Sequence, residues 1–86
     1  MTPSLPVRVM VQDAWDEVQL DLPATTKLAE VKRQALEATR VMGDPAAYVL
    51  KFRGAELRDE SRSMAEAGLV PNGALIVLRK RRRPVW

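Results

Sequence analysis

One stretch alone, Thr26 to Met42 (TKLAEVKRQALEATRVM), sustains a helical period, so the chain is limited to a single helix with everything else arranged around it. Leu28, Val31, Ala35, Ala38 and Met42 recur at three- and four-residue steps and share one face, while Glu30, Arg33, Glu37 and Arg40 share the other. Thr25 or Thr26 is the expected N-cap, Arg33 and Glu37 are spaced to pair across one turn, and Gly43 followed by Pro45 is the expected stop. With two alanines the apolar stripe is thin, which suits close packing on the concave face of a sheet. Leu36 lies on the flank of the stripe, toward the sheet edge.

Eighty-six residues suffice for one domain with one core layer between helix and sheet. No apolar run is long enough to span a bilayer, and MTPSLPVRV has neither the charged start nor the apolar core of a signal peptide, so a soluble cytoplasmic protein is expected. The chain has no cysteine, which removes disulfides, thiol catalysis and thiolate metal sites. It has no histidine, which removes the commonest general base and metal ligand. The net charge of +3 is unevenly spread: Arg79 to Arg83 carries five positive charges, so the rest of the chain sums to −2.

The remaining segments alternate as strands do. In VRVMVQ, Val7, Val9 and Val11 face one way and Arg8, Met10 and Gln12 the other. After the interruption DAWDE, Val18, Leu20 and Leu22 alternate with Gln19 and Asp21, which makes the pair an antiparallel hairpin closed by Pro23. YVLKFRG is a third strand ending on a turn glycine, Gly54. Glu56 to Ser63 is polar and turn-like around a lone Leu57, Met64 to Ala67 suits a short helical turn, and GLVPNG makes a compact loop. The last strand, Ala74 to Leu78, turns Leu75 and Val77 to the helix and leaves Ile76 and Leu78 outside. The order of two strands, a helix, a strand, a short turn and a final strand predicts an α+β fold with one helix on a mixed sheet. Its expected core is Val9, Val11, Val18, Leu20, Leu28, Val31, Ala35, Leu50, Leu57, Leu69, Leu75 and Val77.

From Val7 to about Leu78 the chain resembles the ubiquitin-like β-grasp family. The resemblance is carried by Phe52-Arg53-Gly54 closing a strand, by Leu57-Arg58-Asp59-Glu60, by Met64, by Gly68-Leu69-Val70-Pro71-Asn72-Gly73, and by the strand Leu75-Ile76-Val77-Leu78. On the helix, Leu28, Val31 and Lys32 match in kind. It implies a lead-in over residues 1–6, a ubiquitin-like domain over 7–78 and a basic tail over 79–86, with the first and last strands as neighbours. Conjugated modifiers and sulfur carriers of this family end in two glycines, whereas this tail, RKRRRPVW, has none. The position of ubiquitin's central patch isoleucine is taken by Lys51. Small size, the AGLVPNGALIVL close and the missing glycine tail are similar to the bacterial YukD-like ubiquitin-like proteins of type VII secretion loci.

Neighbouring outer strands would place Met10, Val49, Ile76 and Leu78 together on a sheet face bordered by Arg8, Lys51 and Arg53, an apolar group on a face that water would otherwise cover. Trp15 at the hairpin loop is either a satellite of the core, folded over the sheet edge, or an anchor for a partner. The candidate protein-binding residues are therefore Arg8, Met10, Trp15, Val49, Lys51, Ile76 and Leu78, and the expected partner is a protein with an apolar, acid-rimmed surface. Packing by the chain's own tail and a homodimer are the competing uses of that face. Arg79, Lys80, Arg81, Arg82 and Arg83 form a candidate polyanion-binding segment for nucleic acid or an anionic membrane, although no aromatic is interleaved with them and only the terminal Trp86 is available to stack on bases. The same run suits a solvated tail or the start of a linker to further sequence. Asp13, Asp16, Glu17, Asp59 and Glu60 sit in turns, where local turn chemistry accounts for them, so no catalytic residue, metal or cofactor is assigned. The leading expectation is a non-catalytic interaction module; the alternatives are a modifier or its precursor and a polyanion adaptor. The oligomeric state is left open.

Overall fold

A computed structural model describes residues 4–80. Five strands and one α-helix form two layers: β1 (Ser4–Val11), β2 (Asp16–Pro23), α1 (Leu28–Ala38), β3 (Tyr48–Phe52), β4 (Ala55–Glu56) and β5 (Gly73–Arg79). The sheet order is β2-β1-β5-β3-β4. The two central strands, β1 and β5, run parallel, and the other pairs are antiparallel. The sheet is therefore mixed, as the α+β reading anticipates.

Alternation in the sequence becomes two distinct sheet faces. In β1, Leu5, Val7, Val9 and Val11 are buried against α1 while Pro6, Arg8 and Met10 turn outward; β5 buries Leu75 and Val77 in the same way. Leu28, Val31, Ala35 and Leu36 of α1, with Tyr48, Leu50, Met64 and Leu69, complete one continuous core. Val18, Leu20 and Leu57, expected inside it, are only partly buried, because β2 and β4, the strands that carry or precede them, lie at the two edges while the helix covers the middle of the sheet. Tyr48 enters the core on the same alternation as Leu50, whereas Met64 enters it from a turn that no periodicity marks.

The helix differs from expectation at both ends. Its N-cap is Lys27, with no side-chain cap, so neither Thr25 nor Thr26 performs that role. The first amides are instead satisfied by another segment: Leu28 N–H donates to the Arg62 carbonyl (2.9 Å) and Ala29 N–H to that of Glu60 (3.0 Å). At the other end α1 stops at Ala38, well before Gly43. Arg40 N–H donates to the Glu37 carbonyl (3.0 Å) and Val41 N–H to that of Leu36 (2.9 Å), with Arg40 in the left-handed region at φ 58°. This is a Schellman closure with an arginine where glycine is usual. Ala38 and Met42 consequently leave the buried stripe, and Met42 is 98% exposed.

The polar segment after Leu57 is ordered by similar means. Met64 N–H donates to the Thr26 carbonyl (2.9 Å) and Ala65 N–H to that of Ala24 (3.1 Å), which stitches it to the start of α1. Ser63 and Glu66 exchange backbone-to-side-chain bonds in a capping box that opens the turn holding Met64 in the core. Lys32 is buried and donates to the Tyr48 carbonyl (3.0 Å) and to Glu60 Oε2 (2.8 Å), tying α1 to β3 and to this segment. β4, which composition alone reads as turn, pairs with the end of β3 through a tight turn at Arg53 and Gly54, both at positive φ.

Candidate protein-binding face

Strand pairing sets the outer face in rows, because residues directly opposite one another point to the same side. Met10 lies opposite Ile76 across β1 and β5. Ile76 in turn lies opposite Lys51 of β3, Lys51 opposite Glu56 of β4, and Met10 opposite Glu17 of β2. One row thus runs Glu17, Met10, Ile76, Lys51, Glu56 across all five strands. Ile76 is 44% exposed, while Met10 and Lys51 are half-buried by their neighbours. The row on one side contains Gln19, Arg8 and Ala74, and on the other side Val49 faces Leu78. Six of the seven residues expected to form the face, Arg8, Met10, Val49, Lys51, Ile76 and Leu78, are therefore contiguous.

Trp15 is separate from this group. It lies past the paired end of β2 at the tip of the β1–β2 hairpin, 83% exposed and in the left-handed region at φ 50°, so it does not fold over the sheet edge. A bulky side chain in that backbone region is uncommon.

The tip is fastened to the body by a clasp that the sequence does not announce. The Tyr48 hydroxyl donates to Asp13 Oδ2 (2.8 Å), Arg79 donates to the same oxygen (3.0 Å), and the Arg79 guanidinium lies 5.7 Å from the Tyr48 ring centroid. Gly43 is part of this arrangement, since a Cβ there would stand 3.2 Å from the Tyr48 ring. Arg79, grouped by composition with the basic tail, is thus the last residue of β5, with its charge paired to Asp13. Lys80 is exposed and its N–H donates to the Ala47 carbonyl (2.8 Å). Arg81, Arg82 and Arg83 lie outside the described residues.

A shallow groove of about 580 Å³ runs beside the face, lined by Val49, Lys51, Glu56, Leu78, Arg79 and Lys80. Of the carboxylates expected in turns, Asp16 and Glu17 instead open β2, where Asp16 accepts from Glu17 N–H (2.9 Å), while Asp59 binds Ser61 and Glu60 binds Lys32. Among the described residues no cluster of three potential metal ligands occurs, and no helix is long and apolar enough to cross a membrane.

By sequence, the chain matches no protein-family model and no curated protein. By structure it matches the ubiquitin-like domain of the Arabidopsis thaliana protein At2g32350, with a TM-score of 0.74 and 17% identity over 98% of this chain and 85% of that one. It also matches the ubiquitin of Caldiarchaeum subterraneum, with a TM-score of 0.76 and 9% identity over 92% of this chain and 96% of the other. The N-terminal ubiquitin-like domain of the 4931431F19Rik protein is similar too, at TM-score 0.74 and 16% identity, covering 100% of this chain and 84% of that one. The fold is the ubiquitin-like β-grasp. At these identities the likeness extends to the fold alone. Within this β-grasp, Glu17 and Glu56 at the ends of the central row are the residues that sequence reasoning missed. Glu17 was recoverable from the hairpin register; Glu56 was not, because the two residues of β4 carry no periodic signal.

Proposed function

We propose that the chain is a non-catalytic, cytoplasmic protein-interaction module that binds through the outer face of its sheet. The observation that carries this reading is the central row, in which Met10 and Ile76 sit between Lys51 and Glu17 on a face open to water. Exposed apolar side chains on a two-layer fold cost free energy until another surface covers them, and charged neighbours fix the register of whatever does. Arg8, Lys51 and Arg53 border the apolar centre with positive charge while Glu17 and Glu56 close its central row with negative charge, so the surface that covers it is apolar with acidic groups at its rim set against Arg8, Lys51 and Arg53. Trp15 extends the interface as an anchor at the hairpin tip. The kinship with YukD-like bacterial proteins belongs to the same proposal and rests on the AGLVPNGALIVL segment.

The test is capture of a partner by the immobilised full chain, compared with the variants Ile76→Asp and Arg82→Glu. Binding lost with Ile76→Asp and kept with Arg82→Glu supports the face. The opposite pattern, with steep loss on added salt, would make the basic segment the binding element and the partner a polyanion.

A further inference from the structure

The surface required of the partner, apolar with acid at its rim, exists on this chain itself, and we propose that the outer sheet face binds a second copy of the protein as a twofold dimer. The inference rests on the reading of that face as an interface and names its occupant.

Symmetry and charge fix how two copies can meet. Lys51 and Glu17 occupy the same cross-strand row, with Met10 and Ile76 between them. Adjacent strands are about 4.8 Å apart, so the line midway between β1 and β5 is equidistant, about 7 Å, from β2 and β3. Two sheets packed face to face as an isologous pair need a twofold axis in the plane between them. An axis along the row would stack Glu17 on its own copy and Lys51 on its own copy, which like charges oppose. An axis along the strands, midway between β1 and β5, reverses the row instead. Met10 of each copy then meets Ile76 of the other, and each Glu17 faces a Lys51. Two ion pairs flank a four-residue apolar centre, and the charges select this axis over the alternative.

The same operation explains the groove and the tip together. Val11 pairs with Asp16 and with Val77, so the hairpin tip bearing Trp15 lies just beyond that row, at the end of the sheet where Val49 faces Leu78. The axis along the strands brings that tip to the other copy's Val49 and Leu78, which line the groove of about 580 Å³. Trp15 and the groove, unconnected within one copy, then lie at the same end of the interface.

The experiment is sedimentation equilibrium of the full chain from micromolar to millimolar concentration, for the wild type, Glu17→Lys, Lys51→Glu, Trp15→Ala and the double variant carrying both charge reversals. Circular dichroism melts confirm that each variant is folded. The expected wild-type result is a weight-average mass that climbs with concentration from 9.6 kDa toward twice that value. Each single reversal weakens association about tenfold or more, since both flanking pairs become repulsive. Mixing Glu17→Lys with Lys51→Glu restores it as a heterodimer, because each new lysine then faces a new glutamate, and the double variant restores the homodimer. Trp15→Ala weakens association about tenfold without changing these charge rules. A wild type that stays monomeric across the range overturns the dimer, as does a dimer indifferent to the reversals or not rescued by mixing. A monomeric wild type whose partner capture is still abolished by Ile76→Asp separates the two claims, since the face then binds something else.

Discussion

Lys32 is the only charged side chain buried among the described residues, at 4% exposure, and every donor direction it uses has an acceptor on another element. Removing its ammonium leaves the Tyr48 carbonyl without this donor and Glu60 without its counter-ion. Glu60 is about a quarter exposed, which lets water offset part of the loss. Lys32→Ala is expected to cost about 1 to 3 kcal/mol, read from the urea midpoint, with Lys32→Met losing less because its stem still packs. Leu50→Ala, at a fully buried position, is expected to cost about 2 to 5 kcal/mol by the same measurement. Three surface carboxylates titrate below their ordinary range. Arg33, with help from Gln34, pulls Glu30 down to about 2; the Ser61 hydroxyl and amide lower Asp59; the Ser63 amide and hydroxyl lower Glu66. A carboxyl lowered in the folded state adds stability that is complete above its unfolded value and is lost as pH falls through its folded one. The melting temperature should therefore begin to drop below about pH 4.5 and go on dropping toward about pH 2, and Ser63→Ala should move the Glu66 carboxyl carbon titration back upward. A flat melting profile across that range would contradict the assignment. At this scale the buried residues of β1 and β5 were legible because alternation sorts them, whereas Val18 and Leu20 alternate as clearly and stay partly buried at the sheet edge. Lys32 was visible only as a resemblance, since its partner Glu60 is 28 positions away in sequence.

Among elements, the strands were the most legible and the helix end the least. Val7, Val9 and Val11, and Leu75 and Val77, announce their faces through period two, and their register then places Met10, Ile76 and Lys51 together. The end of α1 was misplaced because Gly43 and Pro45 are strong stop signals, whereas the actual closure uses Arg40, whose left-handed backbone no residue preference foretells. Arg40→Gly should stabilise the domain by about 0.5 to 1 kcal/mol, because the strain of a side chain in that conformation is relieved, less the entropy glycine gains when unfolded. Destabilisation in thermal melts would mean that the Arg40 side chain contributes contacts that outweigh the strain. The clasp of Asp13, Tyr48 and Arg79 was illegible for a different reason: it joins three elements far apart in the chain through side chains that composition had assigned to a turn, a strand start and a tail.

At the scale of the molecule, the clasp decides where the body ends. Removing Arg81 to Trp86 should leave the melting temperature unchanged while the net charge falls from +3 to 0. Removing Arg79 to Trp86 should lower it, because the deletion takes a ladder residue, the Asp13 ion pair, the stacking on Tyr48 and the Lys80 bond to Ala47. Equal melting of the two truncations would return Arg79 to the tail. The helix, core and clasp on one side hold the other side of the sheet in a fixed array, with an apolar pair at its middle and opposite charges at a symmetric distance from it. Such a surface is suited to recognition, and the claim that it is the interface is tested most directly by amide chemical-shift mapping of the labelled full chain as its captured partner is titrated in. Shifts are expected to concentrate at Arg8, Met10, Lys51, Ile76 and Leu78 while the exposed face of α1, from Glu30 to Glu37, stays still. Shifts gathered on α1 and Met42, or confined to Arg79 through Arg83, would contradict that claim.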